Sequence, residues 1–312
     1  MRALYYDNRT KTVFFRGDVP IPEPEDGESL IHIRVAAVCS TDKEIIKGYK
    51  PDFCGVLGHE FVGTVEKSGD DALIGRRVVG EINAGCGECV YCKTGREKHC
   101  LTRKCIGIAG KDGCFADYMT IRTSCLHLVP DGMPDEVAVN TEPLAAAFCV
   151  TELAHIKPSQ PVAVVGDGRL AFLCAQVLAL TGAEVVVCGL LPEKLAHFHP
   201  FARIEREPDE TFETVVECSG NPSGFDTARK IVRRGGRIIL KSTHAGDPVN
   251  NLSDLVVNEI SVIGSRCGPF PPALRLMERG LIALPEIKLF RPEQWEEALG
   301  CRDFKSGFDY RL

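Results

Sequence analysis

The run from Val162 to Ala171, VAVVGDGRLA, constrains the fold more than any other stretch of the chain. It is a G-x-G-x-x-A turn. An apolar strand leads into it, a helix leaves it, and a second apolar strand, AEVVVC, follows from Ala183 to Cys188. Gly166 permits the tight turn, and Gly168 lets a pyrophosphate approach the backbone at the helix N-terminus. Ala171 keeps that helix close to the strand. A glycine pair alone is also found as a plain turn in α/β domains; the β-α-β context turns the reading toward a dinucleotide site. The alternation continues with a strand at 214–218, a helix around 225–234, and strands at 237–241 and 260–263. Continuous β-branched strands between helices imply a parallel sheet covered on both faces, a Rossmann-type doubly wound arrangement.

The end of the second strand bears on the cofactor. Sites that prefer NAD often place Asp or Glu there, on the ribose 2′-hydroxyl. Gly189 stands at that position here, so no acid at 189 would repel a 2′-phosphate. Arg169 and Lys194 are the nearest cations. The reading is NADP or NAD, with a tilt to NADP. Leu170 at the helix start and Arg266, in the GSRCG segment after the last strand, complete the expected cofactor-binding set.

Residues Asn83 to Cys100 read NAGCGECVYCKTGREKHC, a C-x2-C-x2-C-x7-C spacing through Cys86, Cys89, Cys92 and Cys100. Short spacers let three sulfurs converge from one loop, and the longer one returns the fourth. Four thiolates fill every position of a tetrahedral zinc, so such a site is structural. An iron–sulfur cluster is the alternative for four close thiols.

At 312 residues the chain has room for two domains. A net charge of −6 argues against a nucleic-acid surface or a polybasic membrane patch. No stretch has the length of a membrane span, and the first residues lack a signal-like apolar run. Fifteen cysteines in that setting point to a reducing, cytoplasmic environment. The first part, residues 1–147, is rich in short β-like segments broken by Pro and Gly. The texture changes near Glu142, where a helix begins. The expected division is a β-rich domain over 1–147 and 272–312, carrying the cysteine lobe at 83–101, and a nucleotide domain over 148–271.

A second set of ligand types lies outside the lobe. Cys39 follows an apolar strand in the segment CSTDKE; His59 and Glu60 sit in GVLGHEFVG; Glu142 sits in TEPLA. A thiolate, an imidazole and a carboxylate suit zinc with one position left open. Singly, each has a plainer reading, as a core cysteine or a surface pair.

Taken together, the G-H-E element, the four-cysteine lobe, the E-P element and the glycine turn come in the order of the zinc-dependent medium-chain dehydrogenase/reductases. The chain resembles that family, the alcohol, polyol, threonine and glucose dehydrogenases, over nearly its whole length. The resemblance implies a GroES-like β-rich catalytic domain interrupted by a Rossmann domain, with substrate and nicotinamide in the cleft between them. It implies two zinc ions per chain. Cys39 and His59 would hold the catalytic one, with Glu60 or Glu142 as third ligand. It places Thr41 beside the substrate oxygen as proton acceptor. The family's usual relay histidine is replaced by Glu44, so the ribose, Asp42, Lys43 or water would carry the proton onward. The absence of a cysteine near Glu142 favours the polyol side. The expected activity is hydride transfer between a small secondary alcohol, or its ketone, and NAD(P), in a homo-oligomer, a dimer or tetramer. The alternatives are a zinc-free quinone or enone reductase on the same fold and a non-catalytic nucleotide-binding or redox-sensing protein.

Overall fold

The computed structural model describes residues 1–243 and 252–312. They form two compact units. One comprises Met1–Glu142, Phe270–Arg279 and Glu286–Leu312; the other comprises Pro143–Pro269 and Gly280–Pro285. The expected boundary at 147/148 falls inside the helix Thr141–Leu153, which itself runs through the division. Residues 280–285, expected in the β-rich domain, belong to the second unit. Gln176 holds them there: its Nε2 donates to the Ala283 carbonyl at 2.9 Å, and the Ala283 N–H donates to its Oε1 at 2.8 Å.

The first unit is built around the strand Glu28–Ala37. It is buried along nearly its whole length because it pairs with three others, all antiparallel: Glu60–Lys67, Tyr118–Arg122 and Lys305–Asp309. The last of these explains why the chain end returns to the first unit. Leu4, Tyr6, Ile31, Phe61, Phe115 and Phe308 belong to one core, and the Phe115 and Phe308 rings meet edge to face at 4.9 Å. The cysteine lobe has its own small sheet, Asn83–Ala84, Lys104–Ile106 and Gly110–Lys111, with a one-turn helix at Val90–Lys93.

The second unit is a six-stranded sheet in the order Arg203–Ile204, Val185–Cys188, Val162–Val165, Phe212–Glu217, Val232–Leu240, Ser261–Gly264. Every pair is parallel. The earliest strand lies in the interior and the order reverses beside it, which opens a crevice at the carboxyl ends of the strands. Val162–Val165 and Val185–Cys188 are buried throughout, as apolar runs in a sheet covered on both faces must be. Arg203–Ile204 was not anticipated; two residues carry no periodicity to read. Among the described residues no helix is long and apolar enough to cross a membrane.

Candidate functional site

Strand register assembles the first cluster. Ala37 pairs with Glu60, so the end of one strand lies beside the start of the other. Cys39 comes two residues past that pair and caps the helix Ser40–Ile46. His59 comes just before the second strand, after Gly58, which sits at φ +93°. A side chain at 58 would strike the Phe115 ring at 2.3 Å. The turn is pinned from behind, where the Leu57 and Gly58 carbonyls accept from the Phe115 and Cys114 N–H groups at 2.9 and 3.0 Å. As a result the ligand atoms of Cys39, His59 and Glu60 lie within 4.8 Å of one another. A tetrahedral ion with bonds of about 2.0–2.3 Å sets its ligands roughly 3.3–3.8 Å apart. A small inward movement therefore fits all three to one ion, with a fourth position left over. Glu142 stands outside this cluster, on the first turn of Thr141–Leu153.

Two further side chains hold the donors. Asp42 is wholly buried. Its Oδ2 accepts from the Cys39 N–H at 2.8 Å, and its Oδ1 faces His59 Nδ1 at 3.2 Å. With Nδ1 turned to Asp42, the other ring nitrogen is the one left for a metal, the carboxylate–histidine arrangement of metal sites. Burial alone would lower the imidazole pKa, but the Asp42 carboxylate and the Cys39 sulfur outweigh it and raise it well above the ordinary value. Glu60 is ion-paired to Lys305 Nζ, both buried. Thr41 Oγ1 is 3.7 Å from Cys39 Sγ and half-buried. Sequence reasoning considered Asp42 only as a proton carrier and missed Lys305. The signal for the latter was a lysine between Phe304 and a strand of small and apolar residues, where a buried charge needs a partner.

In the lobe, the ligand atoms of Cys86, Cys89, Cys92 and Cys100 also lie within 4.8 Å of one another. Cys86 and Cys89 stand 4.0 and 3.6 Å from the Cys92 sulfur. A tetrahedron of zinc–sulfur bonds at about 2.3 Å has edges near 3.8 Å. The Cys86 N–H points at the Cys100 sulfur at 3.4 Å and is the main cause that lowers its pKa to about 6. Such donors favour the thiolate that a metal requires.

In the second unit Gly166 adopts φ +129°, and a side chain there would lie 2.9 Å from the backbone of Cys218 on the neighbouring chain segment. Gly168 caps the helix Arg169–Ala179, so the N–H groups of its first turn, from Arg169 and Leu170 onward, face the carboxyl edge of the sheet. Lys194 is half-buried in the short helix after Gly189; Arg266 is exposed, and its carbonyl accepts from the buried Lys241 Nζ at 3.3 Å. The end of the second strand differs from expectation. Position 189 brings no acid, but the Asp167 carboxylate reaches it from the turn and accepts from the N–H groups of Leu190 and Leu191 at 2.8 and 2.9 Å. The premise behind the tilt to NADP, that no negative charge is fixed there, does not hold.

Comparison with known proteins gives the same picture. Residues 25–131 match the alcohol dehydrogenase GroES-like domain. The chain is 30% identical to a sorbitol dehydrogenase of Halalkalibacterium halodurans, over 89% of this chain and 88% of the relative. The chain belongs to the zinc-dependent medium-chain dehydrogenase/reductase family. As a member of that family it is an NAD(P)-dependent oxidoreductase of secondary alcohols. A D-arabitol-phosphate dehydrogenase of Enterococcus avium is 29% identical over 90% of this chain and 88% of its own. Acetophenone reductase of Geotrichum candidum, solved with NAD, shares the medium-chain fold at a TM-score of 0.89 and 23% identity, covering 99% of this chain and 96% of that one.

Proposed function

We propose that the chain is a dehydrogenase of a polyol or sugar-like secondary alcohol, with a catalytic zinc at Cys39, His59 and Glu60 and a structural zinc in the cysteine lobe. The observation that carries this reading is the convergence of one sulfur, one imidazole and one carboxylate with a fourth position left for a substrate oxygen. A zinc-free reductase on this fold would have no use for those donors. The names of the sorbitol and arabitol-phosphate relatives support the polyol side.

Zinc in that cluster supplies Lewis-acid polarisation of the alcohol oxygen, and the nicotinamide supplies the hydride acceptor. The side chains do the rest. Cys39, His59 and Glu60 bind the ion; Asp42 and Lys305 set their orientation. Thr41 Oγ1 takes the alcohol proton. Asp42 is buried and engaged on both oxygens, and Glu44 is paired with Lys47 at 2.7 Å. The onward path therefore runs through the ribose, Lys43 or water. Glu142 would be the other carboxylate able to hold the ion in place of Glu60. The exposed outer edge of Ser261–Gly264, beside exposed Val256, Val257 and Val262, supports a homo-oligomer joined through the nucleotide unit.

Metal analysis with turnover is the test. The wild type is expected to hold two zincs, and Cys39→Ala or His59→Ala to lose one of them and at least ~10³-fold in rate. Near-normal turnover in either variant would exclude this cluster from catalysis.

A further inference from the structure

We infer that Asp167, the residue between the two glycines of the turn, is the acidic group of the adenosine-ribose subsite and makes the enzyme select NAD(H) over NADP(H). The inference rests on the dinucleotide reading of that turn. Three observations carry it.

The first is position. Asp167 follows the strand Val162–Val165 by two residues, yet its Oδ2 is bound at the end of the neighbouring strand, by the N–H groups of Leu190 and Leu191. The carboxylate thus lies where a second-strand acid would place its own, at the carboxyl edge of the sheet.

The second is fit. A Cβ at position 189 would lie 2.9 Å from Asp167 Cβ and 2.7 Å from Leu195 Cδ2. Glycine at 189 makes room for the side chain that comes from 167. The missing acid and the unexpected one are therefore one exchange: the charge is moved from the strand end to the turn.

The third is availability. Both backbone donors go to Oδ2, and among the described residues Oδ1 has no hydrogen-bond partner. Asp167 is only half-buried. Two charge-assisted hydrogen bonds fix the group before any ligand arrives, so little further ordering is needed to use it. A ribose 2′-hydroxyl can donate to Oδ1. A 2′-phosphate would bring its charges against a carboxylate that cannot swing away. Arg169 and Lys194 are the cations close in sequence.

The test is a binding titration of NADH and NADPH, followed by nicotinamide fluorescence, on wild type and on Asp167→Asn. It needs neither substrate nor turnover. Asparagine keeps an acceptor for the two N–H groups while removing the charge; Asp167→Ser serves if the first variant melts early. Wild type is expected to bind NADH at least about 10-fold more tightly than NADPH, and Asp167→Asn to narrow that ratio by about 10-fold, chiefly by improved NADPH binding. Equal binding of both by wild type, or an unchanged ratio in folded Asp167→Asn and Asp167→Ser, overturns the assignment of Asp167 while leaving the dinucleotide site intact. Binding of neither nucleotide by a folded wild-type protein overturns the dinucleotide reading itself, and this inference with it.

Discussion

Asp42 touches both Cys39 and His59 and would touch neither substrate nor ion. Its removal separates orientation from ligation. Partners of this kind are typically worth 10- to 100-fold in metal affinity. Asp42→Asn should therefore weaken zinc at the Cys39 cluster by roughly that factor in a chelator competition, while the lobe keeps its ion; unchanged affinity would reduce Asp42 to a helix cap. Thr41→Val should leave zinc content alone, lower the rate and alter the pH–rate profile, because it removes only a hydroxyl. A wild-type profile would end its role as proton acceptor. Residue types offered Cys39, His59, Glu60 and Glu142 as a possible set, and the resemblance to the family, rather than the residues singly, turned Cys39 and His59 into expected ligands with Glu60 or Glu142 as the third. What they could not show was direction. Lys305 reaches Glu60 from the far end of the chain, and Asp167 is read as a mere spacer between glycines until its side chain is followed to Leu190.

Elements carry two further expectations. The cysteine lobe has only a small sheet, a one-turn helix and the short 3-10 turn Glu97–His99 to hold it, too little for a core of its own. Cys86→Ser or Cys100→Ser should release one zinc and loosen Asn83–Ile106 to proteolysis, with the Cys39 cluster still loaded; retention of both ions would refute a closed structural site. The second concerns Glu28, at the start of the central strand. Lys111 Nζ donates to it at 2.6 Å and to Thr120 Oγ1 at 2.7 Å, which ties the strand to two others. Burial would raise the Glu28 carboxyl, but the Lys111 hydrogen bond and charge prevail and hold it below the ordinary value of 4.5. A carboxyl depressed by folding contributes stability above its unfolded pKa and loses it as pH falls through the folded one. Glu28→Gln should thus cost about 1–3 kcal/mol at neutral pH and little in acid, below the folded pKa, so wild-type and variant melting temperatures should converge on acidification. A gap that stays constant with pH would show that the pair contributes packing only. The inner strands of the second unit, Val162–Val165 and Val185–Cys188, were readable because each is an uninterrupted apolar run; Arg203–Ile204 was too short to read, and Val232–Leu240 carries exposed arginines near its start. The β-rich unit was readable only as texture, since its pairings join strands far apart in sequence, such as Glu28–Ala37 with Lys305–Asp309.

At the scale of the whole molecule, the edge of the parallel sheet is the feature that looks outward. Ser261–Gly264 pairs on one side with Val232–Leu240 and among the described residues has no strand on the other. Val262 is 40% exposed there, and Val256 and Val257 more so. An open apolar edge invites a partner strand. Light scattering should find a dimer or tetramer of the 34.1 kDa chain, and Val262→Lys should shift it toward monomer; a monomeric wild type would reject this edge as an interface. The Asp167 carboxylate has a reach beyond the binding site. In a Rossmann enzyme the residue at the end of the second strand is the direct place for an edit that alters nucleotide preference. In this chain that edit meets a side chain already in place: Gly189→Asp would crowd Asp167 rather than add to it. The same displacement affects comparison between relatives, because two chains aligned with glycine at that column can present opposite electrostatics to the same ribose. The column records a backbone position, whereas the nucleotide responds to where the charge lies in space.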